Sequence, residues 1–191
     1  MNRGFFDYAA LQREGRWQPL PQRRADEVSV LVLGMGQMGR TAAARVEAMG
    51  YRVQGWRRDG VALDTLLVQA EIVINLLPLT PDTRGLLNAR FFDALPRGAA
   101  LVNLARGAHV VDDDLLAALD SGQLRHAVLD VFHTEPLPGT HRFWRHPKVT
   151  LLPHAAALTD SRSAAAVVAA NLRALRDGLP IQHLVERQRG Y

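Results

Sequence analysis

Residues 28–50 constrain this chain more than any other stretch. Val28-Ser29-Val30-Leu31-Val32-Leu33 is an almost unbroken apolar run, the pattern of a strand buried on both faces. Gly34-Met35-Gly36-Gln37-Met38-Gly39 follows at once, and Met38, Ala42, Val46 and Met49 then recur at helical spacing until Gly50 supplies a stop. A G-x-G-x-x-G turn alone is a weak signal, but between a strand and a helix it has a mechanism. The first glycine permits the tight turn, the second lets the backbone approach a diphosphate, and the third lets helix and strand pack closely. The helix start adds free N–H groups and the positive end of its dipole. Gly34, Gly36 and Gly39, with Gln37 and Met38 between them, are therefore candidate dinucleotide-binding residues.

The rest of the chain repeats the strand–helix alternation. Tyr51 to Trp56, Ile72 to Asn75, Ala100 to Asn103, Ala127 to Asp130 and Val149 to Leu152 read as strands. Helices are expected over Leu63–Ala70 and Asn88–Ala94. Another follows Asp112-Asp113-Asp114, whose carboxylates would cap it and suit its dipole. A last helix is expected from near Thr159-Asp160, with Val167, Val168, Leu172 and Leu175 on one face. Alternation of this kind predicts an α/β fold, a doubly wound parallel sheet covered on both faces. Residues 1–24, with a short helix at Tyr8–Gln12 broken by Trp17-Gln18-Pro19-Leu20-Pro21, read as a lead-in and linker. The dinucleotide-binding domain is expected to span 25–178, and 179–191 to form a tail.

Composition narrows the chemistry. With no cysteine among its 191 residues the chain has no disulfide, thiolate metal site or cysteine nucleophile. Its net charge of +4 comes from 23 basic residues against 19 acidic ones, and all but Lys148 of the basic residues are arginines. These arginines are scattered and often stand beside Asp or Glu, which reads as a solvated face and not as a nucleic-acid surface. No stretch has the apolar length of a membrane span or a signal peptide, so a cytoplasmic protein is expected.

Where an acid would accept the ribose 2′-hydroxyl of NAD, 18 positions (57 − 39) after Gly39, the chain reads Trp56-Arg57-Arg58. A guanidinium binds a 2′-phosphate bidentately. NADP(H) is expected through Arg57 or Arg58, with NAD(H) recognised by Asp59 as the alternative.

Three further segments fall at strand ends: Asn103-Leu104-Ala105-Arg106-Gly107, Asp130-Val131-Phe132-His133-Thr134-Glu135-Pro136-Leu137, and Pro153-His154-Ala155-Ala156. Ligands of open parallel sheets lie beyond the carboxyl ends of the strands, so these segments would converge on the glycine turn. One fixed cation, one carboxylate and one imidazole suffice to reduce a 2-oxo acid. Arg106 would hold the substrate carboxylate and polarise the carbonyl, His154 would supply the proton, and Glu135 would orient the imidazole. His133, His141 and His146 share a loop with Glu135, but their spacing fits no helical ligand pair and flexible surface histidines are the preferred reading.

With those segments in order, the sequence resembles the D-isomer-specific 2-hydroxyacid dehydrogenases, and within them most the glyoxylate/hydroxypyruvate reductase A branch. The similarity runs from about Tyr8 to Tyr191 and includes Leu76-Leu77-Pro78-Leu79-Thr80-Pro81-Asp82-Thr83-Arg84-Gly85 and the closing Arg189-Gly190-Tyr191. The resemblance implies that Arg106, Glu135 and His154 match the catalytic residues and that Leu77, Pro78 and Asp130 touch the cofactor. Leu104, Ala105 and Ala156, in the same segments, are grouped with these three. It implies hydride transfer to a small 2-oxo acid, giving the 2-hydroxy acid, and a homodimer joined through cofactor domains. The family's cofactor domain is inserted into a substrate domain. By that comparison the preceding part is absent here and 179–191 would return to it, which predicts a half-open cleft and little turnover from the chain alone. The connection from Trp56 to Ile72 is also shorter than is usual in the family. A non-catalytic NADP-binding or dimerisation module is the alternative.

Overall fold

The computed structural model describes residues 4–58 and 60–184; Asp59, and with it the alternative NAD contact, lies outside the described residues, as does Arg189-Gly190-Tyr191. The chain forms two compact units, Met1–Pro153 and His154–Tyr191. The first holds α1 (Phe5–Arg13), β1 (Ser29–Leu33), α2 (Gln37–Ala48), β2 (Arg52–Trp56), α3 (Leu63–Leu67), β3 (Ile72–Asn75), α4 (Ala89–Asp93), β4 (Ala99–Asn103), α5 (Asp112–Asp120), β5 (Leu124–Leu129) and β6 (Val149–Leu151). All six strands are parallel, in the order β2-β1-β3-β4-β5-β6. This is the expected doubly wound sheet. The chain runs outward from β1 to β2, then crosses back to place β3 on the other side of β1, the reversal at which such sheets bind ligands.

Alternation along the strands sorts the core. Leu31, Leu33, Val73, Leu101 and Leu129 belong to the larger cluster, packed with Leu67 of α3, Phe91 and Phe92 of α4 and Leu115 and Leu119 of α5. Val30, Ile72 and Ala100 belong to a smaller cluster, against which Val46 of α2 packs. His126 stands in register with Ala100, and the ring of Phe6 from α1 stacks on it with centroids 3.9 Å apart.

Two local expectations are corrected. Met38 and Met49 do not face the core: they are exposed, and α2 buries Gly39 and Ala43 instead. The cause is proximity, because a Cβ at Gly39 would stand 1.8 Å from the Gly34 carbonyl oxygen, so only the smallest residues fit that face. The three aspartates do not cap α5 either. Val111 is its N-cap, and the carboxylates serve neighbours: Asp114 Oδ2 accepts from the Ala89 N–H at the start of α4 (2.9 Å), and Asp113 pairs with Arg142 (2.9 Å). The second unit contains α6 (Ser161–Arg176), capped by Asp160 through the Ser163 N–H and followed by Gly178 at φ +68°. None of the residues of α6 is buried, including Val167, Val168, Leu172 and Leu175.

Candidate functional site

Strand register aligns the site. Leu33 pairs with Trp56 on one side and Asn75 on the other, Asn75 with Asn103, Asn103 with Leu129, and Leu129 with Leu151. The last residues of all six strands thus form one row, and the segments that follow leave the sheet at the same end. Gly34, Arg57, Leu77-Pro78, Leu104-Ala105-Arg106 and Asp130 start their loops within a few residues of that row.

Close backbone approaches lock these loops together. Gly34 has φ +93°, and a Cβ there would come within 2.7 Å of the Leu76 carbonyl oxygen and 2.9 Å of the Leu77 nitrogen. The glycine turn therefore abuts the segment after β3. A Cβ at Gly107 would lie 1.9 Å from the Phe132 carbonyl carbon, so the loop carrying Arg106 presses on the loop carrying Glu135. Over Gly36 there is open space, with nothing within 4 Å of a Cβ. Gly36 is the N-cap of α2, and Gln37 and Met38 form the exposed first turn. Bare backbone at a helix start with room above it fits a dinucleotide diphosphate.

Beyond β2 lies a cavity of about 520 Å³ lined in part by Met35, Arg40, Gly55, Arg57, Gly60 and Val61. The turn that closes it is short. Gly60 N–H donates to the Arg57 carbonyl at 3.0 Å, and the Trp56 indole Nε1–H donates to the Val61 carbonyl at 3.0 Å. The two arginines separate here: Arg57 lines the cavity, whereas Arg58 pairs with Asp82 at 3.0 Å.

Arg106 is exposed, its Nη1 donating to the Ala105 carbonyl at 2.6 Å, and Ala105 beneath it is buried. Glu135 accepts from the Phe132 N–H at 2.8 Å through Oε1. Asp130 is buried at the end of β5 and its N–H donates to the Asn103 carbonyl at 3.0 Å. The first unit thus brings together the loops of Arg106, Glu135, Leu77-Pro78 and the glycine turn. His154, at φ +52°, and Ala156 belong to the second unit. The loop histidines have carboxylate neighbours: His133 and His141 both face Asp112, at 3.5 and 3.3 Å, and His146 faces Asp120 at 3.1 Å. Among the described residues no group of three His, Asp or Glu side chains is arranged to hold a metal ion.

Sequence reasoning missed a buried polar circuit under the site. Asn75, Asn103 and His109 are all wholly buried. Asn75 Nδ2 donates to Asn103 Oδ1 at 3.0 Å, and Asn103 Nδ2 donates to the Arg106 carbonyl at 3.1 Å. The N–H groups of Leu77 and Ala105 donate to Asn75 Oδ1 (3.2 Å) and Asn103 Oδ1 (3.3 Å). The His109 ring closes the circuit, Nδ1 3.1 Å from the Arg106 carbonyl and Nε2 3.3 Å from that of Pro78. The signal was present in Ile-Val-Ile-Asn and Ala-Leu-Val-Asn, two apolar strands ending alike in an amide.

Residues 1–156 match the family model of the D-isomer specific 2-hydroxyacid dehydrogenase NAD binding domain. The chain is 43% identical over 201 aligned positions to a glyoxylate/hydroxypyruvate reductase A of Serratia proteamaculans, covering 99% of this chain and 64% of that protein. It therefore spans just under two thirds of the length of the curated relatives it matches. Among solved structures it resembles a D-isomer specific 2-hydroxyacid dehydrogenase of Xanthobacter autotrophicus in complex with NADPH (TM-score 0.95, 40% identity, 100% of this chain and 84% of that one). It also resembles an NADPH-dependent glyoxylate/hydroxypyruvate reductase of Sinorhizobium meliloti in complex with NADP and sulfate (TM-score 0.94, 38% identity, 100% of this chain and 65% of that one).

Proposed function

The chain belongs to the D-isomer specific 2-hydroxyacid dehydrogenase family through its NAD-binding domain, and from that membership we propose that it serves the NADP(H)-dependent reduction of a small 2-oxo acid of the glyoxylate or hydroxypyruvate type. The observation that carries this reading is the meeting of the loops at the carboxyl end of the sheet, where Gly34 abuts Leu76-Leu77 and Gly107 abuts Phe132. That packing ties the loops of Arg106 and Glu135 to each other and the glycine turn to Leu76-Leu77, with open space above Gly36.

When bound, the nicotinamide supplies the hydride. Arg106 holds the substrate carboxylate and draws electron density from the adjacent carbonyl. By likeness to the family, His154 would give its proton to the carbonyl oxygen as that oxygen becomes the hydroxyl, and Glu135 would be the acid assigned to orient an imidazole. Gly36, Gln37 and Met38 would offer main-chain N–H groups to the diphosphate, with Gly34, Gly39, Leu77, Pro78, Leu104, Ala105 and Asp130 the other cofactor residues of the first unit; Ala156 is assigned to the cofactor by likeness to the family alone. Arg57, on the cavity beyond β2, supports a preference for NADP(H) over NAD(H). The same reading assigns residues 25–178 to the dinucleotide-binding domain, 1–24 to a lead-in and 179–191 to a tail, and makes the protein a cytoplasmic homodimer joined through its cofactor domains.

Titration with NADPH by fluorescence, followed by glyoxylate, tests the proposal. Saturable binding is expected, and then a substrate-dependent loss of absorbance at the reduced nicotinamide band that is slow for the chain alone. Failure to bind either NADPH or NADH overturns it; binding without oxidation leaves a dinucleotide-binding module in place of an enzyme.

A further inference from the structure

The buried circuit joins two loops that the reaction needs in fixed relation. Leu77-Pro78 lies against the glycine turn, and Arg106 carries the substrate cation. We propose that His109, seated by Asn75 and Asn103, is a positioning residue that couples the Leu77-Pro78 wall of the cofactor cleft to Arg106. This rests on the function proposed above.

Both nitrogens of the His109 ring face main-chain carbonyls, so the ring reads backbone position and not side-chain identity. Both carbonyls have other donors, Thr83 Oγ1 on Pro78 at 2.8 Å, and Asn103 Nδ2 at 3.1 Å and the His109 N–H at 3.3 Å on Arg106. The imidazole is the group that touches both. Burial, opposed by these carbonyls and reinforced by Arg106 and Arg84, holds its pKa below the ordinary value. The neutral ring carries a single N–H, so it donates to one of the two carbonyls and meets the other by contact alone, and it places no second cation beneath Arg106 to compete for a substrate carboxylate. A residue needed only for volume would give way to leucine; a coupling residue needs a donor at ring distance.

His109→Leu and His109→Gln separate the two roles, because a glutamine amide can place a donor near the Nε2 position. NADPH affinity is expected to fall about tenfold in His109→Leu, the consequence of losing the ring that bridges the two loops, and to recover to within about threefold in His109→Gln. Wild-type affinity in His109→Leu, or no recovery in His109→Gln, overturns the proposal. Should His109→Leu not fold, His109→Asn replaces it. The asparagine amide reaches Arg106 but not Pro78, so it is expected to bind NADPH more weakly than His109→Gln, and equal affinities overturn coupling. A second readout needs no cofactor. In the ligand-free protein the Arg106 amide and Nε–H resonances are expected to move in the weakened variant and return in His109→Gln; unmoved resonances overturn the proposal. Wild-type protein that binds no dinucleotide would defeat the functional reading, while these resonances still decide the role of His109.

Discussion

Arg58 and Asp82 meet at 3.0 Å, joining the turn after β2 to the segment after β3. Both side chains are more than half exposed, so the pair contributes little to stability. Its effect is to hold one arginine sideways while Arg57 lines the cavity. Arg57→Ala should weaken NADPH binding about tenfold or more and leave NADH nearly unchanged. Arg58→Ala and Asp82→Ala should each weaken it only a few-fold, and by similar amounts. Parallel titrations with both cofactors check this; unchanged NADPH affinity in both arginine variants sinks the assignment.

Gly107 is a second decisive contact. A methyl group there would collide with main-chain atoms of Phe132 and His133, which have no rotamer by which to yield. Gly107→Ala should displace the loops of Arg106 and Glu135 against each other and cost about 2 kcal/mol or more. Urea unfolding reads the stability change, and turnover should fall more than NADPH affinity does.

Acid should destabilise the protein before its carboxylates titrate. Burial beneath Phe6 brings the His126 pKa down to about 4 from 6.5, with Asp7 opposing and Arg125 and His146 assisting. The unfolded chain therefore takes up the proton first. The contribution of His126 is complete above pH 6.5, is lost progressively as the pH falls toward 4, and amounts to about 3 kcal/mol. Denaturation midpoints at several pH values should show this slope. It should flatten in His126→Gln but not vanish, because His109 is shifted the same way. An unchanged slope refutes the account.

Asp114 lies in the first turn of α5 yet accepts the first N–H of α4. Asp114→Ala should cost about 1 kcal/mol, the usual worth of a cap, whereas Asp113→Ala, at an exposed ion pair, should cost much less. Thermal melts of the two single variants test the contrast.

Much of this fold was legible because its strands are short apolar runs between helix-period segments. Each of β1 to β6 lies within a residue or two of such a run, apart from the earlier start of β5 at Leu124. Helix faces were less so. Met38 and Met49 share a spacing with Ala42 and Val46, but the face of α2 was settled by how near Gly39 comes to Gly34, a distance that periodicity does not encode. The placement of Arg106, Glu135 and the glycine turn just beyond strand ends was legible. Asn75, Asn103 and His109 were not, because their partners are main-chain atoms brought together by strand register. The division of labour between Arg57 and Arg58 likewise depends on Asp82, more than twenty positions away.

Where peptide planes touch as they do at Gly34 and Gly107, neither loop can be lengthened, shortened or given a side chain without unseating its neighbour. The turn after β2 is anchored differently, by an indole and an ion pair, and side chains can be exchanged one at a time. Lineages that switched coenzyme on such a scaffold would be expected to record the change in that turn, leaving the floor of the cleft as they inherited it.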